Sequence, residues 1–365
     1  MTELTTAYEK PTALQLAGQV ANKHAENAVF ADYLSRKSDN TIRTHAAALA
    51  TFADYLTAAG IPGIDADCLQ RDPNCWRGVT WGIVEAFVKW QLSEGYAVAT
   101  VNNRLSVIKT YAKLATKAGQ IETKEYQLIR TVSGYGQKEA KRIDGRRDVT
   151  RVGSKKAEHV KLSVSDAHQL KDWMIYEGDQ GTRDCLLMCL LLDHGLRVGE
   201  IARLQVSDFD RSNGEFSFYR PKVDKIQTHK MTGDTLRALY AYLNATGRKG
   251  GRLLVGSRKG GHLTDTPMSE RAISKRVAYL GKELLGITKE RRVKVADTPN
   301  GPIYRTEYVG ALSPHDCRHY WATDAARNDT DAFKLRDAGG WSSLAMPSRY
   351  VEAAAVANEG VKLSA

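Results

Sequence analysis

The stretch LSPHDCRHYWATDAA, residues 312–326, sets His315, Arg318 and His319 at i, i+3 and i+4 just after a proline. A helix brings the three onto one face. Such a face can hold a metal, grip a phosphate, or simply decorate a solvated helix start. Two further stretches carry matching chemistry. DHGLRVGEIARL (193–204) ends one helix at Gly195 and opens another near Val198. Arg197 therefore stands at a helix N-terminus, where free backbone N–H groups favour an anion, and Glu200 lies one turn on, placed to hold its guanidinium. DAGGWSSLAMPSRYVE (337–352) puts Trp341 nine residues before Tyr350. Its two glycines let the backbone pass close to another group. Between these stretches the turn PKVDK (221–225) offers a mobile lysine, Lys222 or Lys225.

The metal reading meets three objections. HDCRH matches the zinc-hydrolase pattern H-E-x-x-H only with Asp for Glu, which shortens the reach to a metal-bound water. Arg318 adds a fixed cation between the two histidines. A catalytic zinc takes three protein ligands, and no third ligand follows in the sequence. Phosphoryl transfer to a side chain fits better. Paired arginines form forked bonds to non-bridging phosphate oxygens and offset charge in the transition state. A tyrosine hydroxyl becomes a competent nucleophile when cations surround it, and a loop lysine can protonate the departing sugar oxygen. No metal or nucleotide cofactor is needed for this chemistry.

The elements that must position these groups divide the chain. Apolar residues recur at helical spacing in 39–60, 81–95 and 99–119, the last with Val101, Leu105, Ile108, Tyr111 and Leu114 on one face. Thr41 or Asn40 is the expected cap of the first. Strand patterns are nearly absent there. Residues 164–177 and 183–194 predict helices, EFSFYR (215–220) and IQTHKM (226–231) a β-hairpin, and 234–243, 269–285 and 314–328 further helices. The segment 287–312 is long for a connection, and an extra hairpin is one account of it. The expected architecture is mainly α: an all-helical N-terminal domain, then a helix-rich domain with a small antiparallel sheet. The expected limits are a weakly ordered segment at 1–25, a helical domain at 26–135, a basic linker at 136–158, a second domain at 159–350 carrying the candidate residues, and a tail at 351–365. The tail is expected either to form a short helix docking on a neighbouring subunit or to fray.

Charge points to the partner. The 365 residues carry a net charge of +11, which favours nucleic acid ahead of an acidic membrane surface. The longest apolar run, CLLMCLLL at 185–192, is too short to cross a bilayer, and the N-terminus reads as no secretory signal. Five cysteines without a C-x-x-C pair favour reduced thiols in a cytoplasm.

Taken in order, G-L-R-x-x-E at 195–200, the hairpin lysine, S-P-H-D-x-R-H at 313–319 and G-G-W…Y at 339–350 make the chain resemble the tyrosine recombinases, the phage-integrase, Xer and Cre group. Tyr350 lies 32 residues beyond Arg318, as in that family's boxes. The likeness is strong over about 160–352 and weaker before it. It implies that Arg197 and Arg318 clamp the scissile phosphate and that His315 bonds a phosphate oxygen or assists proton transfer. Glu200 would buttress Arg197, Lys222 (with Lys225 as its rival) would act as general acid, and Tyr350 would be the nucleophile. Trp341 occupies a place usually held by His. Its indole N–H donates but cannot shuttle a proton. His319 is expected to be structural.

The implied activity is site-specific DNA strand exchange through a 3′-phosphotyrosyl link, by a homotetramer on two double-stranded DNA sites with a Holliday-junction intermediate. The two domains would form a C-shaped clamp on DNA. A type IB topoisomerase-like nicking and rejoining enzyme and an inactive sequence-specific DNA-binding protein are the alternatives. Expected DNA contacts are Arg43, Asn102, Arg104 and Lys109 in the first domain, and Arg258, Lys259, Arg271, Lys275 and Arg276 in the second.

Overall fold

The computed structural model describes residues 12–146, 159–172, 177–298 and 301–354. The chain divides into two compact units, Met1–Lys155 and Lys156–Ala365.

The described part of the first unit is helical: α1 Ala13–Ser35, α2 Asp39–Ala58, α3 Ala66–Arg71, α4 Trp81–Ser93, α5 Val98–Lys117, α6 Thr123–Thr131 and α7 Gln137–Gly145. The face expected on α5 is the one buried, with Val101, Leu105, Ile108, Tyr111 and Leu114 all in the core. Trp76 fills the centre, stacked between Phe52 and Tyr111, and its indole donates to the Leu69 carbonyl at 2.9 Å. Burying so large an aromatic without an orphaned N–H is what makes it stabilising.

Four expectations for this unit are corrected. Ser38, two residues before Asn40 and three before Thr41, caps α2 by accepting the Thr41 N–H. Within the segment expected to be weakly ordered, α1 is helical from Ala13, opened by a capping box of Thr12 and Gln15. Only Phe30 of α1 is buried, so the helix leaves almost no apolar stripe in the sequence. Within the expected linker, 137–145 forms α7, and the Asp144 carboxylate accepts the Val98 N–H at the start of α5. Cys68 and Cys75 form a disulfide rather than two thiols. The reversal between α3 and the 3₁₀ turn Pro73–Trp76 brings their Cα atoms to 6.0 Å, a proximity that a spacing of seven does not reveal. Cys185, Cys189 and Cys317 are free and buried.

The second unit contains α8 Val164–Lys171, α9 Gly178–His194, α10 Val198–Ile201, α11 Gly233–Thr246, α12 Glu270–Leu285, α13 Pro314–Arg327, α14 Ala332–Gly339 and α15 Ala345–Ala354. Its strands are β1 Phe209–Asp210, β2 Glu215–Arg220, β3 Lys225–Lys230, β4 Val255–Ser257, β5 Leu263–Pro267, β6 Thr288–Thr298 and β7 Gly301–Gly310. β1, β2 and β3 form one antiparallel sheet, with Phe216 opposite His229 and Arg220 opposite Lys225. β6 and β7 pair antiparallel, which is the extra hairpin within 287–312. α8 stops at Lys171, short of the 177 expected.

α9 is the core helix, buried throughout Arg183–Leu192. It carries Asp184 into the interior between Arg183 and Arg276, at 2.7 Å and 2.5 Å. α9 ends at Gly195, in left-handed conformation with φ 58°, where a Cβ would run into the Trp321 ring of α13. Only glycine lets α9 stop there and turn the chain toward Arg197. Among the described residues no helix is long and apolar enough to cross a membrane.

Candidate active site

Arg197 and Arg318, 121 residues apart in sequence, come together around one turn. Arg197 precedes α10, and its guanidinium donates to Glu200 at 2.9 Å and to the Gly340 carbonyl at 3.1 Å. Glu200 is buried and also accepts the Arg197 backbone N–H at 2.8 Å. The N–H expected to be free for an anion is therefore taken by the carboxylate. Arg318, on the first turns of α13, donates to the Gly195 carbonyl and to the Gly339 carbonyl, both at 2.5 Å. Its guanidinium lies over the Trp341 ring at 4.3 Å. Burial and the neighbouring Arg197 and Arg220 push its pKa down to about 9, which still leaves it charged at neutral pH.

A third arginine escaped the sequence reading. Arg220 ends β2 with its side chain wholly buried. It donates to the Gly339 and Ala338 carbonyls at 2.8 Å each and to Glu200 at 3.3 Å. Burial, only partly offset by Glu200, brings its pKa to about 10. The signal was present in EFSFYR: strict alternation puts Arg220 on the face of the buried Phe216 and Phe218. A charge at a core parity marks an internal tie. The turn it ties needs its glycines. A Cβ at Gly340, φ 60°, would strike Arg220, and one at Gly339 would strike the Trp341 ring.

Replacing Arg220 by methionine fills the volume but leaves Glu200 and two carbonyls short of a donor. We expect a loss of about 3–5 kcal/mol in urea unfolding, together with a fall in activity as the 338–340 turn drifts. Unchanged stability would show that Arg220 is dispensable.

Tyr350 lies on α15, buried, with its ring 5.9 Å from that of Trp341. Its hydroxyl meets His319 Nδ1 at 2.7 Å, and His319 Nε2 meets His315 Nε2 at 3.1 Å. His319, expected to be structural, is thus the residue that touches the phenol. In one of the two proton arrangements that satisfy this chain, the phenol donates to His319 Nδ1 and His319 Nε2–H donates to His315. Burial lowers the pKa of both imidazoles, His319 to about 4, so both are neutral near pH 7. Burial also raises the Tyr350 pKa, with Arg318 pulling the other way. The phenol therefore keeps its proton near neutral pH.

His159 completes the neighbourhood. Its ring centre is 3.8 Å from that of His319 and 5.4 Å from that of His315. The third histidine sought downstream of HDCRH comes from far upstream, where no local spacing points to it. Lys222 lies exposed in the turn between β2 and β3, and Lys225 opens β3. Tyr279 and Tyr308 are exposed. Tyr350 is the tyrosine found with the arginines.

The expected DNA contacts separate into exposed and committed groups. Arg43, Arg258, Lys259, Arg271 and Lys275 are exposed. Asn102 spends both halves of its amide on the Tyr135 backbone, at 2.8 Å and 3.0 Å. Arg104 packs over the Tyr96 ring and donates to Gln91. Lys109 donates to the carbonyls of Arg130 and Val132 at the C-terminal end of α6, and burial lowers its pKa. Arg276 is held by the buried Asp184. In these four residues helical periodicity located a polar face but not the local acceptor that claims each side chain.

The chain is 28% identical over 191 residues to tyrosine recombinase XerC of Myxococcus xanthus, a match covering 52% of this chain and 57% of that protein. It is 33% identical over 120 residues to a probable integrase/recombinase protein of Methanocaldococcus jannaschii, covering 33% and 36%. The chain thus spans between about a third and somewhat over half the length of these curated relatives. In fold it is similar to a lambda integrase(75-356) dimer bound to a COC′ core site, with a TM-score of 0.57, 14% identity, and coverage of 94% of this chain and 98% of that one. Residues 160–356, more than half of the chain and including every residue of the arginine–tyrosine site, match the phage integrase family, and the chain belongs to that family.

Proposed function

We propose that this chain is a site-specific DNA recombinase that breaks and rejoins double-stranded DNA through a 3′-phosphotyrosyl intermediate. The observation that carries the reading is the convergence of Arg197 and Arg318 on the adjacent carbonyls of Gly340 and Gly339, with Trp341 between Arg318 and Tyr350. Arg197 and Arg220 share one carboxylate, Glu200, while Arg318 bonds only backbone carbonyls. Such a surplus of buried positive charge favours a bound phosphate.

Arg197 and Arg318 hold the non-bridging oxygens of the scissile phosphate, and His315 donates to a phosphate oxygen. The Tyr350 oxygen attacks phosphorus while the phosphorus–O5′ bond breaks. The phenol proton passes to His319 Nδ1 as the new bond forms, and Lys222 protonates the departing 5′ oxygen. The phosphotyrosyl ester keeps the energy of the broken bond, so rejoining by a 5′-hydroxyl needs no nucleotide. Glu200 and Arg220 act as positioning residues. Strand exchange follows in a homotetramer on two sites, through a Holliday junction, and the exposed cations at 43, 258, 259, 271 and 275 bind the flanking duplex.

Two labelled DNA fragments carrying the recognition site, incubated with the chain in EDTA, are expected to give joint products linking one label to the other. Adduct formation with relaxation of supercoils but no joint products would favour a topoisomerase-like enzyme. Binding without any adduct would overturn the catalytic reading.

A further inference from the structure

We infer that His159, His315 and His319 form a binding site for one divalent transition-metal ion of the zinc class, and that its occupancy switches off the reaction proposed above. The binding half stands on geometry alone; the switching half rests on the recombinase reading.

One ring nitrogen of each histidine lies within 4.8 Å of the other two. A tetrahedral zinc with metal–nitrogen bonds of about 2.0–2.1 Å sets neighbouring ligand nitrogens about 3.3 Å apart. The His315 and His319 Nε2 atoms already stand at 3.1 Å. Only His159 has to close in, and it is free to do so, because its side chain is 55% exposed. The His159 and His319 rings border a surface groove lined also by Leu162, Met346 and Tyr350, which gives an ion a way in. Three protein nitrogens with the fourth position open make an exchangeable site rather than a closed structural one.

The surroundings suit a cation. Asp316, wholly buried, places a carboxylate oxygen 3.5 Å from His159 Nδ1, and carboxylates beside ligating imidazoles orient them and raise their basicity. Arg318, which lies between the two histidines in sequence, is anchored on the Gly195 and Gly339 carbonyls and over the Trp341 face.

The chemical consequence follows from counting protons. A neutral imidazole carries one N–H. A metal on His319 Nε2 forces that hydrogen onto Nδ1, the atom facing the Tyr350 hydroxyl at 2.7 Å. His319 then donates to the phenol and can no longer accept its proton, while His315 is withdrawn from the phosphate.

The test uses the full-length chain stripped of metal and titrated with Zn²⁺ against a chromophoric chelator, in the absence of DNA. We expect one ion per chain, bound at least tenfold more weakly by His159→Ala and within about threefold of wild type by His159→Cys, which restores a ligand. In a nicked-substrate assay, saturating Zn²⁺ is expected to lower adduct formation at least tenfold, EDTA to restore it, and His159→Ala to raise the half-inhibiting Zn²⁺ concentration at least tenfold. Absence of stoichiometric binding, or equal affinity in His159→Ala, would overturn the site. Binding without inhibition would overturn the switch. A stripped wild-type chain that forms no adduct at all would instead sink the recombinase reading, with the DNA-free titration left standing.

Discussion

Replacing Tyr350 with phenylalanine is expected to lower covalent adduct formation by about 10⁴-fold or more. Binding to the same DNA should stay within about threefold of wild type. The substitution removes one oxygen and keeps the ring. Phenylalanine retains the packing against Trp341 in the small cluster of Ala322, Leu335 and Tyr350. The lost hydrogen bond is the one to His319, whose net worth to stability is about 0.5–1.5 kcal/mol, too little to unfold the unit. An unreactive but folded, DNA-binding protein is therefore the predicted result. A nicked oligonucleotide resolved on a denaturing gel reads the adduct, and filter binding reads affinity. Residual cleavage at wild-type rate would mean that another group attacks the phosphate.

Arg318→Lys is expected to reduce the single-turnover cleavage rate by about 10²–10³-fold, with a much smaller change in the DNA concentration at half-saturation. Lysine keeps a positive charge but not the planar fork. The native guanidinium donates to Gly195 and Gly339 at once while stacked on Trp341, so its remaining N–H groups are held in fixed directions. An ammonium group on a flexible stem satisfies one carbonyl or the phosphate, not all of them. The loss therefore falls on the transition state, where charge develops, more than on the ground state. Arg220→Met should differ in kind, losing stability and rate together, because Arg220 acts through the 338–340 turn. A lysine variant as fast as wild type would remove Arg318 from the phosphate.

The sequence made the helical order of both units, the β2–β3 hairpin and the arginine–tyrosine set legible, because each leaves a periodic or spaced trace. α5 shows its buried face at 3.6-residue spacing, and EFSFYR alternates as a strand must. Elements stabilised by polar capping were harder to read. α1 buries little beyond Phe30, and α7 is fastened through Asp144 to the start of α5. Pairings made only by tertiary folding were invisible for the same reason. Cys68 meets Cys75 across a chain reversal, and His159 meets His319 from 160 positions away. Arg220 is the instructive case. Its position in an alternating strand was on the page, yet an arginine at a strand end is ordinarily read as exposed. The partner set of Asn102, Lys109 and Arg276 likewise depended on acceptors brought in by other helices. The tail expected at 351–365 falls mostly outside the described residues; 351–354 continue α15.

The central claim is that the Tyr350 oxygen becomes bonded to DNA phosphorus between Arg197 and Arg318. The most direct measurement is peptide mapping by mass spectrometry of the adduct trapped on a nicked site in EDTA. The account predicts a single modified peptide carrying Tyr350, joined to the 3′ phosphate, with a free 5′-hydroxyl on the released strand. A modified peptide carrying Tyr320, Tyr308 or any other residue, or a 5′-phosphate linkage, would contradict it.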